Sequence, residues 1–381
     1  LSHSPSAFSS ISNPPRRPLR SHNALRVGMR RQARRHGWVV GLLVTAVAPG
    51  VSAASTAEFI YDVAPFPSAH ASTVVETADG LVAAWFGGTG EGHPDVGIWL
   101  SRHYGESWTG PVEVANGVME DERRYPCWNP VLFQPSNGPL LLFYKVGPSP
   151  REWWGLVRTS DDQGRSWSDA IRLPDGILGP IRSKPVELGP GWLLAGSSTE
   201  HDGWVVHMEH FRTAAATEGD WQQALGSALA WDRVGPLNST DGFDAIQPTI
   251  LVHSPTDLQI LCRTRQRVIS QVWSRNRGVA WGPMSPTELP NPSAGIDALG
   301  LADGRFLLVY NPTERGRHRL AVAVSDDGRT WRAGLTLEQE PAGEYSYPSM
   351  IQAADGRVHI TYTWQRQRIK HVVFDPDEIG G

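Results

Sequence analysis

Short turns ending in tryptophan recur along this chain, and they constrain its fold more than any other feature. The fullest copy is SDDQGRSW, from Ser160 to Trp167. In it Ser160 and Asp162 can accept bonds from nearby backbone N–H groups, Gly164 permits a positive φ, and Trp167 can lie over the neighbouring strand. SRHYGESW ends at Trp108, SRNRGVAW at Trp281 and SDDGRTW at Trp331, so the tryptophan spacings are 59, 114 and 50. The long gap is close to two periods. A worn turn is therefore predicted inside it, and EGDW, ending at Trp221, fills that place. A repeat of about fifty residues built of strand and turn points to propeller blades.

A second feature recurs with the first. Short strand openings stand at HASTVV from His70, WNPVLF from Trp128, SKPVEL from Ser183, IQPTIL from Ile246, IDALGL from Ile296 and YPSMIQ from Tyr347. Most lead into a turn and a second apolar strand, as in ADGLVAAWFG and SNGPLLLFYK, and third strands such as VGIWLSR run into the tryptophan turns. Period-two alternation with glycine-bearing turns is what a small antiparallel sheet requires. The expectation is an all-β, six-bladed β-propeller. An open ring would leave bare strand edges, so the ring is expected to close by giving the N-terminal strand, around Phe59 to Val63, to the last blade. The one stretch with a helical signal is Asp220 to Trp231.

The first 53 residues differ from the rest. They hold eight arginines and no acid, and an apolar run from Trp38 to Ala48 is followed by Val51-Ser52-Ala53. That order reads as a signal or targeting segment cleaved after Ala53, with residues 54–381 as the propeller and a secreted or periplasmic location. The apolar run is too short for a stable membrane span. The whole chain carries a net charge of −4, so without those arginines the remainder is −12. Such a chain has no general attraction for nucleic acid or an anionic membrane, and an anionic ligand needs a locally basic pocket. The two cysteines, Cys127 and Cys262, are far apart and read as buried thiols.

Ring geometry then bears on chemistry. In a propeller the innermost strands line a channel, and their opening residues converge on one face although they lie about fifty residues apart. At the six openings stand His70, Asn129, Lys184, Gln247, Asp297 and Tyr347, with Arg124, Arg182 and Asp244 just before three of them. A polar, partly cationic ring of this kind suits an anionic or sugar ligand. Trp128, Trp153 and Trp154 are available as a stacking wall for a sugar. Histidines are scattered, and no HExxH, paired cysteines or calcium-loop spacing occurs, so neither metal nor cofactor is expected. GGTGEG lies between strands rather than before a helix and is not a nucleotide loop.

The S-x-D-x-G-x-S/T-W turn resembles the Asp-box (BNR) repeat of the sialidase superfamily, and with the six openings the resemblance covers nearly all of residues 57–375. It implies a Tyr nucleophile assisted by an acid, a carboxyl acid/base, and three arginines on the substrate carboxylate. A neutral phenol suits a sugar whose anomeric carbon bears an anion, because a carboxylate nucleophile would be repelled. Carried onto this sequence, the resemblance places the nucleophile at Tyr347, with Tyr345 as the near alternative. Asp244 becomes its partner, and Glu91 or Asp95 in GGTGEGHPD the acid/base. The family's first arginine meets His70, and PSAGIDAL in blade five has no arginine. Arg265 or Arg263 can supply one, while Arg124 and Arg182 would make a different clamp.

The reading is an exo-acting glycoside hydrolase of sialidase type on an acidic-sugar glycan. Two rivals stand beside it. In a uronate polysaccharide lyase His70 and Tyr347 would move protons while arginines neutralise the carboxylate. A lectin-like propeller would bind glycans without turnover.

Overall fold

The structure is a computed structural model that describes residues 55–213, 218–239 and 241–379. The segment read as a signal lies outside the described residues. The regular structure of the described residues is nearly all strand, arranged as six sheets of four or five strands in an antiparallel meander. The innermost strands are Ser68–Thr77, Cys127–Phe133, Val186–Gly189, Ala245–Val252, Asp297–Gly300 and Tyr345–Gln352. Thr56–Phe59 pairs with Arg368–Phe374, so the outermost strand of the last sheet comes from the N-terminal side of the first blade. No helix among the described residues is long and apolar enough to cross a membrane.

The second strand of each blade explains the packing. Along Leu140–Val146, Leu140, Leu142, Tyr144 and Val146 join the core between blades one and two, whereas Leu141 and Phe143 join the core between blades two and three. Successive side chains point to opposite faces and both faces are covered, so the strand reads as a continuous apolar run. Leu258, Ile260 and Cys262 likewise face blade three, and Leu261 faces blade five. Six such cores occupy the six interfaces, the last joining Ile369 of blade six to Ala83 and Trp85 of blade one. Cys127 and Cys262 are buried free thiols within these cores.

The tryptophan turns work as their residues suggest. Ser160 Oγ accepts from Gly164 N at 2.8 Å, and Asp162 Oδ1 accepts from Arg165 N at 3.0 Å and Ser166 N at 2.8 Å. Ser325 and Asp327 repeat the pattern. In blade four Asn276 stands in for the aspartate and still accepts from Ala280 N at 2.9 Å. The predicted worn turn at Trp221 is absent. Trp221 lies on a short helix, Glu218–Leu225, and is fully buried in the core between blades two and three. The indole fills the interblade gap that a tryptophan turn would otherwise cover.

Four inner strands carry the same defect at their start. In each, two residues oppose one on the neighbouring strand: Ala71–Ser72, Asn129–Pro130, Gln247–Pro248 and Tyr347–Pro348. The first of each pair has a left-handed backbone, with φ of 56°, 39°, 56° and 53°. Such bulges re-aim a side chain, and a non-glycine residue held there costs about 1–3 kcal/mol. Blades three and five lack the bulge, because their inner strands begin only at Val186 and Asp297.

Candidate active site

Tyr347 is the centre of the channel mouth. Its bulge turns the ring inward, where it is nearly buried between four blades. The His70 ring lies 4.1 Å away on one side. On another side is Gly295, where an added Cβ would stand 3.3 Å from the tyrosine ring. A Cβ there would also stand 3.2 Å from Arg182 Nε, so a side chain would crowd both groups and make them shift by a few tenths of an ångström. The guanidinium groups of Arg182, Arg263 and Arg317 lie 5.3, 5.6 and 5.6 Å from the ring centroid. Arg263 Nη1 donates to the phenol oxygen at 2.6 Å.

These neighbours set the protonation states. Burial pushes the Tyr347 phenol up, as does the nearby Glu91 carboxylate. Arg263, Arg317 and a hydrogen bond from Gln247 outweigh both and leave its pKa below the ordinary value. His70 goes the other way. Burial first, then Arg366, Arg317, Arg182 and Arg263, hold it well below the usual imidazole range, so it is neutral at physiological pH. Its Nδ1 lies 2.9 Å from Thr363 Oγ1, and its buried Nε2 has no partner among the described residues.

The remaining expected residues divide. Gln247, at the equivalent bulge of blade four, is bonded to the phenol, while Asp244 contributes its main-chain carbonyl to Arg265 N at 3.0 Å. The residue that the bulge of blade four sets beside the phenol is thus Gln247, three positions after Asp244. Tyr345 points into the core of blades five and six. Arg182 is buried, with Nη1 on Ile296 O at 2.6 Å and Nη2 on Pro348 O. These two bonds brace the backbone beneath Tyr347, while Nε has no partner among the described residues. Arg124 is tied to Asp95 O at 2.9 Å, and Arg265 packs 4.4 Å over the Trp204 ring. Asn129 is buried at its own bulge, and Trp128 donates to Gly147 O at 3.0 Å with its ring 6.0 Å from Trp153.

Lys184 and Asp297 do not share the Tyr347 mouth. Both line a cavity of about 650 Å³ further along the inner strands, beside Val252 and Gln352. There Lys184 Nζ donates to Ser349 Oγ at 2.5 Å, and Asp297 accepts from Thr249 Oγ1 and Met350 N. Burial brings the Lys184 ammonium down to about 8. The single converging ring expected from the six openings fails at the two blades that lack the bulge.

The blade-one loop is locked. Asp95 accepts from Thr89 N at 3.0 Å and Thr89 Oγ1 at 2.6 Å and pairs with His93. Burial pushes its carboxyl up, but those bonds outweigh that and hold it below the usual range. Glu91 pairs with Arg366 at 2.6 Å, Arg366 with Glu344 at 2.7 Å, and Glu344 with Arg317 at 3.4 Å. Arg317, Arg366 and Glu344 form a rim of alternating charge beside Tyr347. Arg317 escaped sequence reasoning because it sits after the second strand of blade five, in NPTERGRHR, not at the opening where an arginine was sought. Glu200 and Trp204 escaped for the same reason. They follow the second strand of blade three, where Arg263 lies 5.0 Å from the Trp204 ring and Trp204 bonds Glu200. Burial pushes the Glu200 carboxyl up against the pull of Arg263.

Six antiparallel blades with Asp-box turns, and a tyrosine among arginines where their inner strands begin, make a sialidase-like β-propeller fold. The chain belongs to the BNR repeat-like domain family, whose model matches residues 79–360. It is similar to the anhydrosialidase of Macrobdella decora, at 24% identity over 237 residues, covering 56% of this chain and 30% of that protein. The chain thus spans about a third of that curated relative. A Dyadobacter fermentans protein of unknown function superposes with a TM-score of 0.64 at 17% identity, covering 84% of this chain and 99% of the other. The intramolecular trans-sialidase of Ruminococcus gnavus does so at 0.63 and 13%, covering 87% and 99%. These likenesses establish the fold.

Proposed function

We propose that the protein is a glycosidase of sialidase type that acts on a glycan ending in a carboxylate-bearing sugar. The observation that carries this is the Tyr347 phenol, held between Arg263 and Arg317 with its pKa below the ordinary value. A phenol so placed loses its proton without a carboxylate base, which fits Gln247 in the partner position. Arg317 and the remaining N–H groups of Arg263 are suited to the sugar carboxylate. Tyr347 Oη would attack the anomeric carbon and the bridging oxygen would leave with a proton; water would then release the sugar and free the tyrosine. Glu91 is ion-paired and Asp95 is held ionised, whereas burial favours protonated Glu200. We assign the leaving-group proton to Glu200. The test is sugar release from a fluorogenic sialoside and glucuronide. Tyr347→Phe should abolish release of whichever is cleaved, and unchanged rates would end this reading.

One arrangement favours a second reading. A neutral His70 stands against the same phenol, and among the described residues its Nε2 has no partner and no carboxylate bonds the phenol. In a uronate lyase, the Tyr347 phenolate would take the proton beside the sugar carboxylate. The bond to the leaving oxygen would then break to form a double bond in the ring, and that oxygen would take the proton back from the Tyr347 phenol. Its signature is an ultraviolet absorbance from an unsaturated uronate with no hydrolytic product.

A further inference from the structure

A second concavity opens on the same face, between blades two and three. Its volume is about 190 Å³, and Arg151, Trp153, Glu200, His201 and Arg233 stand around it. Two chains of contacts join it to the Tyr347 site. One runs through rings: Tyr347 to His70 at 4.1 Å, His70 to Phe86 at 5.5 Å, Phe86 to Trp128 at 6.2 Å and Trp128 to Trp153 at 6.0 Å. The other runs from the phenol to Arg263, from Arg263 to the face of Trp204, and from Trp204 to Glu200. Glu200 therefore forms part of the wall between the two.

The composition of this pocket is unlike the protein around it. Arg151 and Arg233 are exposed, and Trp153 is half-buried. Two arginines face one carboxylate, Glu200, in the lining, so positive charge is in excess. A flat indole beside fixed positive charge is the arrangement that stacks a sugar ring and holds an anionic substituent on it. We propose that this pocket is a second sugar subsite, on the leaving-group side of the Tyr347 site, selecting a glycan whose penultimate residue carries a sulfate or carboxylate. Trp153 would stack that residue, and Arg151 and Arg233 would pair with its anion. The inference rests on the Tyr347 site being where the terminal acidic sugar sits.

The test uses the whole chain bearing Tyr347→Phe, so that binding is read without turnover. Two pairs of probes share a terminal acidic sugar and differ only in a 6-sulfate on the next residue. They are 3′-sialyllactose with or without that sulfate, and glucuronyl-N-acetylglucosamine with or without it. Calorimetry should show the sulfated member of at least one pair binding about tenfold more tightly, with the preference fading as salt rises. Adding Arg151→Gln with Arg233→Gln should erase the preference, and adding Trp153→Ala should weaken both members of the pair. Equal binding within both pairs, no binding of any probe, or a preference that survives loss of the two arginines would overturn the subsite. Absence of turnover by the unsubstituted protein would remove the glycosidase reading while leaving this measurement standing.

Discussion

Replacing Arg263 with glutamine should raise the pKa of Tyr347 and move the protein's activity toward alkaline pH. In the native site the guanidinium donates to the phenol oxygen at 2.6 Å and supplies the largest lowering influence on it. Burial and Glu91 act in the opposite sense, and without Arg263 they face only Arg317 and the Gln247 hydrogen bond. A hydrogen bond to a charged group is worth about 1.5–3 kcal/mol. At 1.36 kcal/mol per tenfold, the phenolate fraction at a fixed pH below the pKa should fall about 10- to 150-fold. Phenolate absorbance near 295 nm, titrated in parallel with a Tyr347→Phe reference, isolates this one of the eight tyrosines. In activity, the ascending limb of kcat against pH should shift upward and much of the rate return at high pH. A Tyr347 titration that stays put or moves down in Arg263→Gln would refute the argument, whatever the rate does.

Gln247→Glu should also raise the phenol titration, because it sets a negative charge where an amide now donates; an unchanged titration would separate Gln247 from the phenol. Lys145 is completely buried, with its ammonium donating to Pro180 O, and burial brings its pKa down to about 7 against a partly opposing Glu209. Between about pH 7 and 10.5 the unfolded chain holds a proton that the folded one does not, so stability rises with pH, by up to about 5 kcal/mol from this group. Lys145→Met should flatten that slope in denaturant unfolding at pH 7 and pH 10, and a slope equal to the native one counts against it. In the Asp-box, hydrogen bonds from Ser166 first, then Ser160 and Arg165, outweigh burial and hold Asp162 down to about 2. Its contribution is present above the unfolded carboxyl range and fades as pH falls toward 2. Asp162→Ala should cost about 1–2 kcal/mol. Asp162→Asn should cost clearly less, since Asn276 already does this work in blade four.

Much of the site's centre was readable before any coordinates. Tyr347, Gln247 and His70 open inner strands, and the tyrosine-proline and glutamine-proline pairs mark bulges that turn side chains to the channel. Lys184 carries the same lysine-proline signal without the bulge, because the strand there begins only at Val186. Its side chain accordingly lies further along the channel, with Asp297. Nothing in the local sequence separates those two cases. Arg317, Arg366, Glu344 and Glu200 were harder still. They stand in loops or at the far ends of strands, where no periodicity marks a residue, and only their meeting in space makes them a site.

What the sequence determined by itself is the blade. Alternating apolar residues, glycine turns and Ser-x-Asp hydrogen bonds act over a few residues, so each repeat announces its strands and its count. What the tertiary structure decided is which groups share a charge environment. Tyr347 acquires its lowered pKa from arginines 84 and 30 positions away, on blades four and five. Electrostatic interaction depends on separation through space and on burial, and both come into being only when the ring closes.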